Sequence, residues 1–406
     1  MEQGSSERPP ARAPRSGALL ETATRALAER FGRGAEWAAR APGRVNLIGE
    51  HTDYNQGLAM PCAIDRETWV VGAARDDGLL RVASLEIEAA REGIEIRLDR
   101  LAARGHWSDY VAAPAWALRE SGVPTPGMDL IVTSTVPIGS GLSSSAALGV
   151  ATTGVLAAAA GASLSPRAIA ECAWRGECDF IGVGCGILDP YAVALSEADH
   201  ALRIDCQDRS VEATPLGGDA IWLVAQSGVP RSVAQGRYQE RVAECAAALR
   251  DAKRGGLVAE TAASLRALDG TPPDRLASVM SGVSLRRARH VITENARVDA
   301  FAAAFRDGDL PAAGEVLKEG MRSLREDYDA SVPELDALCA LGDGHPACHG
   351  SRLTGAGWGG CTLHLVDPDA ADAVADALEA GFRREFGRSP EVVRLKSAAP
   401  ASVIRV

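Results

Sequence analysis

Lysine is nearly missing. The 406-residue chain holds three, Lys253, Lys318 and Lys396, and arginine carries almost all of the positive charge. A Walker A loop needs Gly-Lys-Ser/Thr, and none of the three stands in that context, so a nucleotide phosphate must be met by other means. No Lys/Arg cluster offsets the net charge of −11, which excludes the basic footprint that nucleic-acid binding requires. Nine scattered cysteines without a Cys-x-x-Cys pair make no disulfide framework, and MEQGSSERPPARAPRS at the start has no apolar leader segment, so a reducing cytoplasm is expected. Long apolar runs are absent too. The uncharged stretch from Leu130 to Pro166 is broken by Pro137, Gly139, Gly141 and three serines. Its apolar piece, Ala146–Ala160, falls short of the ~20 residues of a spanning helix and reads as a buried core helix, so no membrane partner is expected.

What is present is a globular composition, 46% hydrophobic and 24% charged, on a chain long enough for two domains. Residues 1–16 read as a mobile tail. Strands are expected at Thr68–Ala74, Met128–Val132, Ala220–Ala225 and Thr362–Val366. Helices are expected at Leu19–Phe31, Ser143–Ala160, Pro166–Cys178, Ser232–Arg250, Ser284–Arg306, Leu310–Arg325 and Ala370–Phe386. The polar stretch Asp205–Gly218 is the candidate domain junction. Strands interspersed with helices argue for α/β or α+β.

Four segments carry chemistry. Pro137-Ile-Gly-Ser-Gly-Leu-Ser-Ser-Ser145 leads into the Ala-rich helix, where free first-turn N–H groups and the helix dipole favour an anion; this is a phosphate cradle without a lysine. A Gly/Ser turn with a Ser N-cap would explain Gly-Ser-Gly alone. A dinucleotide fingerprint is excluded, because its third glycine would fall at Ser144. Glu50 to Asn55 packs carboxylates, His51 and Thr52 into six residues, a mixture suited to a polyhydroxylated ligand; a solvated acidic loop is the alternative. Gly355-Ala-Gly-Trp-Gly-Gly360, preceded by Arg352, suits close backbone approach or a tight turn. Gly184-Cys-Gly186-Ile-Leu-Asp189-Pro190 predicts a helix start with Asp189 at the N-cap and Pro190 at the first position, or a fixed carboxylate facing a hydroxyl. Pro190 is expected to push Asp189 out of the helical region.

In this order the segments resemble the galactokinase family of the GHMP kinase superfamily. The resemblance rests on APGRVNLIGEHTDYN at 41–55, VPIGSGLSSSAAL at 136–148, VGCGILD at 183–189 and SRLTGAGWGGCTLHLV at 351–366, with support from 286–298 and 331–339. It runs from about Leu19 to Val366. It implies an α+β, two-domain GHMP kinase fold, divided at 17–210 and 211–406, with the active site in the cleft between the domains. The activity implied is ATP- and Mg²⁺-dependent phosphorylation of the anomeric hydroxyl of galactose by a cytoplasmic monomer. Asp189 is implied as the base and Arg44 as the stabiliser of the transferring phosphoryl group. Glu50, His51, Thr52, Asp53, Gly186 and Tyr238 are implied as sugar contacts. Ser84, Gly139, Ser140, Gly141, Leu142, Ser143, Ser144 and Ser145 are implied at ATP, and Ser145 with Glu177 at Mg²⁺. The chain departs from the family pattern at Pro190, Gln226, Gly320-Met321, Trp358 and Arg175. These departures bear on the sugar more than on the reaction, and leave a kinase for a related sugar, or a non-catalytic sugar sensor, as alternatives.

Overall fold

A computed structural model describes residues 16–139, 141–216, 221–229 and 234–406. The expected tail up to residue 15, Ser140, the end of the candidate junction and the start of the helix expected from Ser232 lie outside the described residues. The chain runs α1 (Ser16–Phe31), β1 (Trp37–Ile48), β2 (Leu58–Arg75), β3 (Leu79–Ser84), β4 (Ile94–Arg97), α2 (Asp109–Glu120), β5 (Gly127–Ser134), α3 (Ser144–Ala159), α4 (Pro166–Arg175), a π-helical turn (Gly176–Ile181), α5 (Leu188–Leu195), β6 (His200–Asp205) and β7 (Val211–Pro215). It continues with β8 (Ile221–Gln226), α6 (Ala234–Arg254), α7 (Pro273–Ala277), α8 (Gly282–Asp307), α9 (Leu310–Glu326), α10 (Pro333–Asp343), β9 (Cys348–Thr354), β10 (Cys361–Val366), α11 (Ala371–Phe386), β11 (Glu391–Leu395) and β12 (Ser402–Arg405).

Two sheets organise the molecule. The first has eight strands in the order β12-β1-β2-β5-β3-β4, with the β6–β7 hairpin attached to β2; the second has the order β11-β8-β10-β9. Among the described strands only β3 and β5 pair in parallel, so the fold is α+β. The stretch expected as a junction begins instead as the β6–β7 hairpin. β12, near the chain's end, returns to the edge of the first sheet beside β1.

Burial explains this layout. Helix α3 is apolar on every side, with Val150, Ala151, Val155 and Leu156 all buried between the first sheet and α2, α4 and α5. Among the described residues, no helix is long and apolar enough to cross a membrane. A second core ties the sheets together. Val45, Leu47, Met60 and Ile64, from the halves of β1 and β2 that extend past the first sheet's centre, pack with Trp222, Val224, Leu363, Phe301 and Phe305. β1 was not expected as a strand, because WAARAPGRVNLI is poor in β-branched residues; pairing with β2 over most of its length and burial of nearly every residue override that local preference.

Candidate active site

The cavity between the two sheet systems has a volume of about 680 Å³ and collects residues from all four chemical segments. Arg44 stands on β1 just after an irregularity at Pro42/Gly43. Gly43 has no room for a side chain: a Cβ there would lie 2.8 Å from the Leu142 carbonyl oxygen, which also accepts the Arg44 N–H at 3.1 Å. The Gly/Ser loop is thereby pressed onto the strand that carries the arginine. Arg44 reaches Asp189 through Nε at 2.7 Å and Nη2 at 2.6 Å, and donates from Nη1 to the Gly141 carbonyl at 2.5 Å.

Ser143 does not cap α3 with its side chain. Its backbone is left-handed, φ 59°, and its hydroxyl hydrogen-bonds Asp189 Oδ2. A non-glycine residue held there is the kind of local strain that collects at functional sites. The α3 N-terminus therefore has no side-chain cap from Ser143, while Asp189 is gripped from two sides. The expected N-cap role of Asp189 is corrected. Ile187 is the N-cap, Asp189 lies inside the first turn of α5, and Pro190 follows it there. Proline costs nothing at that place because first-turn N–H groups have no intrahelical partner, which outweighs its bias on the preceding residue.

Glu177 was expected on a regular helix through Cys178. Instead α4 ends at Arg175 and Glu177 lies in the π-helical turn. Gly176 explains the local geometry: a Cβ there would come within 2.9 Å of the Ala113 backbone on α2. π-turns of this kind recur at functional sites. Glu177 hydrogen-bonds Ser145 on α3, and burial followed by the nearby Asp189 carboxylate pushes its pKa up to about 7.

The Glu50–Asn55 segment forms a turn, not a solvated loop. Asp53 packs onto Gly186, where any Cβ would collide with its carboxylate, and burial raises its pKa to about 6, with Asp189 adding to the shift. Glu50 is buried, pairs with Arg352 and accepts the Gly355 N–H at 3.4 Å. His51 has φ 64°. Its Nε2 faces the Ala356 carbonyl at 3.0 Å and must carry the proton, so Nδ1 accepts from the Tyr54 hydroxyl at 3.0 Å. Tyr54 in turn accepts from Tyr328 at 2.6 Å, and Tyr328 accepts from the Cys245 thiol at 3.1 Å. The chain of donors has one direction, it keeps the imidazole neutral, and it leaves no ring nitrogen for a ligand.

Arg44, Glu50, His51, Asp53, Ser84, Gly139, Gly141, Ser143, Ser144, Ser145, Gly186, Asp189 and Tyr238 all line the cavity. Three expected contacts do not: Thr52, Leu142 and Glu177, the last of which meets the wall through its hydrogen bond to Ser145. The Thr52 hydroxyl is fully buried between the Gly49 and Leu58 carbonyls, 2.8 and 2.7 Å away, and fixes the turn. The Leu142 side chain is buried in the core that joins the sheets. Ser140 lies outside the described residues.

Sequence reasoning missed the aromatic wall. Asp109 accepts three backbone N–H groups, from Arg104, Gly105 and His106 at 2.8, 2.8 and 3.1 Å, which folds the loop before α2 so that Trp107 and Tyr110 line the cavity. It also missed the support beneath Glu50. Arg352, on β9, is fully buried between Glu50 and Glu294, and Glu294 also accepts the Gly49 N–H at 3.0 Å. One signal was available: Arg287, His290 and Glu294 occupy the buried stripe of α8 at helical spacing, where apolar residues would ordinarily stand.

These buried groups predict the pH dependence of stability. Burial lowers His51 and His364 to about 3 and His290 to about 4, so as pH falls below 6.5 the unfolded chain takes up those protons first and stability is lost. Glu50 and Glu177, raised to about 7, and Asp53, raised to about 6, act in the opposite sense: the folded chain binds their protons first, so stability is gained as pH falls toward about 4.5. Below that only losses continue, joined by Glu294, in which Arg352 and Arg297 outweigh burial and hold the carboxyl low. The melting temperature is expected to change little from pH 7 to about 5 and to fall steeply below about 4.5. A steady decline from pH 7 downward in calorimetry would contradict this.

Residues 109–197 match the GHMP kinases N terminal domain and residues 301–384 the GHMP kinases C terminal. A mevalonate kinase of 16% identity superposes with a TM-score of 0.63 over 89% of this chain and 99% of its own, which shows the shared fold. The molecule is a GHMP kinase. Residues 25–74 match the galactokinase galactose-binding signature. The galactokinase of Chloroflexus aggregans is 38% identical over 388 residues, 95% of this chain and 98% of its own. The human galactokinase is 39% identical over 368 residues, covering 89% and 91%. The crystal structure of Lactococcus lactis galactokinase complexed with galactose has a TM-score of 0.88 at 30% identity, covering 95% and 99%. The chain belongs to the galactokinase family.

Proposed function

We propose that this protein transfers the γ-phosphoryl group of ATP to the anomeric hydroxyl of D-galactose, giving galactose 1-phosphate and ADP. The observation that carries the reading is the cluster of Arg44, Ser143 and Asp189 at the N-terminus of α3, beside the carboxylate of Asp53. In this reading Asp189 takes the proton of the anomeric hydroxyl. Arg44 and the first-turn N–H groups of α3 meet the charge on the transferring group, since phosphoryl transfer asks mainly for positioning and neutralisation. Glu50, Asp53, Gly186 and Tyr238 bind the sugar, with His51 holding the turn through its ring. Ser84, Gly139, Gly141, Ser143, Ser144 and Ser145 line the ATP side, where Trp107 and Tyr110 offer flat apolar faces.

Ser145 and Glu177 would hold Mg²⁺. A hydroxyl and a carboxylate are hard oxygen donors, and Mg²⁺ sites often draw only one or two ligands from protein and the rest from phosphate and water. The Glu177 carboxyl, raised by burial and by Asp189, is a group that a cation would stabilise. The ion would neutralise phosphate charge.

We further take the chain to divide at 17–210 and 211–406, with β7 and β12 of the second unit reaching back to the sheet of the first. The test of function is ADP release from Mg·ATP over free sugars: galactose, glucose, 2-deoxygalactose, galactosamine, N-acetylgalactosamine, arabinose and galacturonate. Galactose is expected to give the highest kcat/KM. A different best sugar would keep the kinase and overturn the substrate.

A further inference from the structure

We propose that Cys178 and Cys185 form a disulfide under peroxide and that this bond reversibly shuts down the site. The inference rests on geometry at the cavity wall. The two sulfurs are 3.6 Å apart, and the Cys178 thiol lies 3.3 Å from the Cys185 carbonyl oxygen. Both cysteines are free, and Cys185 lines the cavity, where a small oxidant reaches it. The segment between them can adapt: Gly182 is left-handed, at φ 83°, and Gly184 follows two residues later.

The chemistry balances with a hydroperoxide as oxidant. One of the two sulfurs attacks a peroxide oxygen, the O–O bond breaks, and that cysteine becomes a sulfenic acid while the displaced hydroxide takes the thiol proton and leaves as water. The other sulfur then attacks the sulfenic sulfur, the S–O bond breaks, and the displaced hydroxide leaves as a second water with the second thiol proton. Two thiols lose two electrons and one peroxide gains them.

The bond has a structural consequence. A disulfide sets the sulfurs about 2.05 Å apart, so they must close by roughly 1.5 Å, shared between rotation of the two side chains and movement of the π-helical turn and the 183–187 loop. The glycines between the cysteines give, but the two ends of the segment are held. Glu177 precedes Cys178, and the loop is seated where a Cβ on Gly184 would come within 3.2 Å of Gln239 and one on Gly186 would strike Asp53. Closing the gap therefore displaces Glu177 or the Gly186–Asp189 segment. An ångström of misplacement at a reacting centre costs on the order of 10²-fold in rate.

Trypsin releases both cysteines in one peptide, Gly176–Arg203, with no third cysteine in it. After treatment of the full-length protein with hydrogen peroxide, that peptide is expected to lose the mass of two hydrogens, and sugar phosphorylation to fall on the order of 10²-fold and return with dithiothreitol. Cys178→Ser is expected to start at the same activity, to give a dimedone adduct at Cys185, and, with no second thiol to trap the sulfenic acid, to be carried by a further equivalent of peroxide to the sulfinic acid, a loss that dithiothreitol does not reverse. A gain of oxygen in place of the loss of two hydrogens would overturn the proposal, as would a disulfide that leaves the rate unchanged, or equal dithiothreitol recovery in Cys178→Ser. The activity arm rests on the proposed function, whereas the mass arm does not, so a protein inactive before peroxide would count against that function alone.

Discussion

Asp189→Asn is expected to lower kcat by 10²–10⁴-fold, the range a general base contributes, while sugar binding and melting temperature change little. The reasons are geometric. Asparagine keeps the shape that Arg44 and Ser143 hold, but it cannot take a proton. Arg44 is buried but keeps the Gly141 carbonyl and the amide oxygen as acceptors, and the Asp189 side chain is 32% exposed, so loss of the ion pair costs less in folding than loss of a fully buried one. Steady-state rates, binding of labelled galactose and calorimetry on the same preparation separate the effects. If the variant turns over near the wild-type rate, Asp189 only orients the hydroxyl, and the base assignment fails. If it neither binds sugar nor melts normally, the carboxylate is structural.

Arg352→Met is expected to be the most destabilising single change, by about 3–5 kcal/mol, the usual cost of removing one partner from a buried ionic cluster. Arg352 has no exposed surface, and its guanidinium is shared between Glu50 and Glu294, both buried. Without it, two carboxylates face each other in the interior, with Arg297 left as the partner of Glu294 and Glu50 without its ion pair. Methionine fills similar space, so the loss reports charge more than volume. Adding Glu50→Gln removes one of the stranded charges and is expected to restore part of the stability, a coupling that urea unfolding of both single variants and the double variant would measure. A loss below about 1 kcal/mol for Arg352→Met would show that Glu50 simply takes up a proton, and the cluster would then count for little. The kinetic consequence falls on the sugar: Glu50 lines the cavity, and without its tether the galactose KM is expected to rise.

Particular residues show how far the sequence could be read. Leu310–Arg325 and Thr362–Val366 have strong periodicity, and the observed elements match them to within one residue at either end. β1 escaped because Ala, Pro, Gly and Arg carry no strand signal, and only pairing with β2 makes them a strand. Asp189-Pro190 was misplaced because local capping preferences compete with a tertiary demand. Arg44 and Ser143 pull the carboxylate inward, and the helix begins two residues earlier than capping alone would have it. Thr52 was read as a ligand because its neighbours are polar, yet a hydroxyl with carbonyls at 2.7 and 2.8 Å is a turn lock, and those carbonyls are invisible in a one-dimensional pattern.

The class of chemistry is legible in four short segments taken in order. Singly, the Gly/Ser loop and the carboxylate-rich turn read equally as a plain turn and a solvated loop; together they carry the resemblance that implies a phosphate held without a P-loop lysine and a sugar hydroxyl as acceptor. Backbone freedom at glycine, helix-start N–H groups and charge are local properties, so such segments can be recognised residue by residue. Tertiary structure alone decided which polar groups face the cavity and which lie beneath it. Arg352 and Glu50 are 302 residues apart, and Arg44 and Asp189 are 145 apart. Burial and ion pairing over such separations depend on which strands and helices pack together, and no local pattern encodes that.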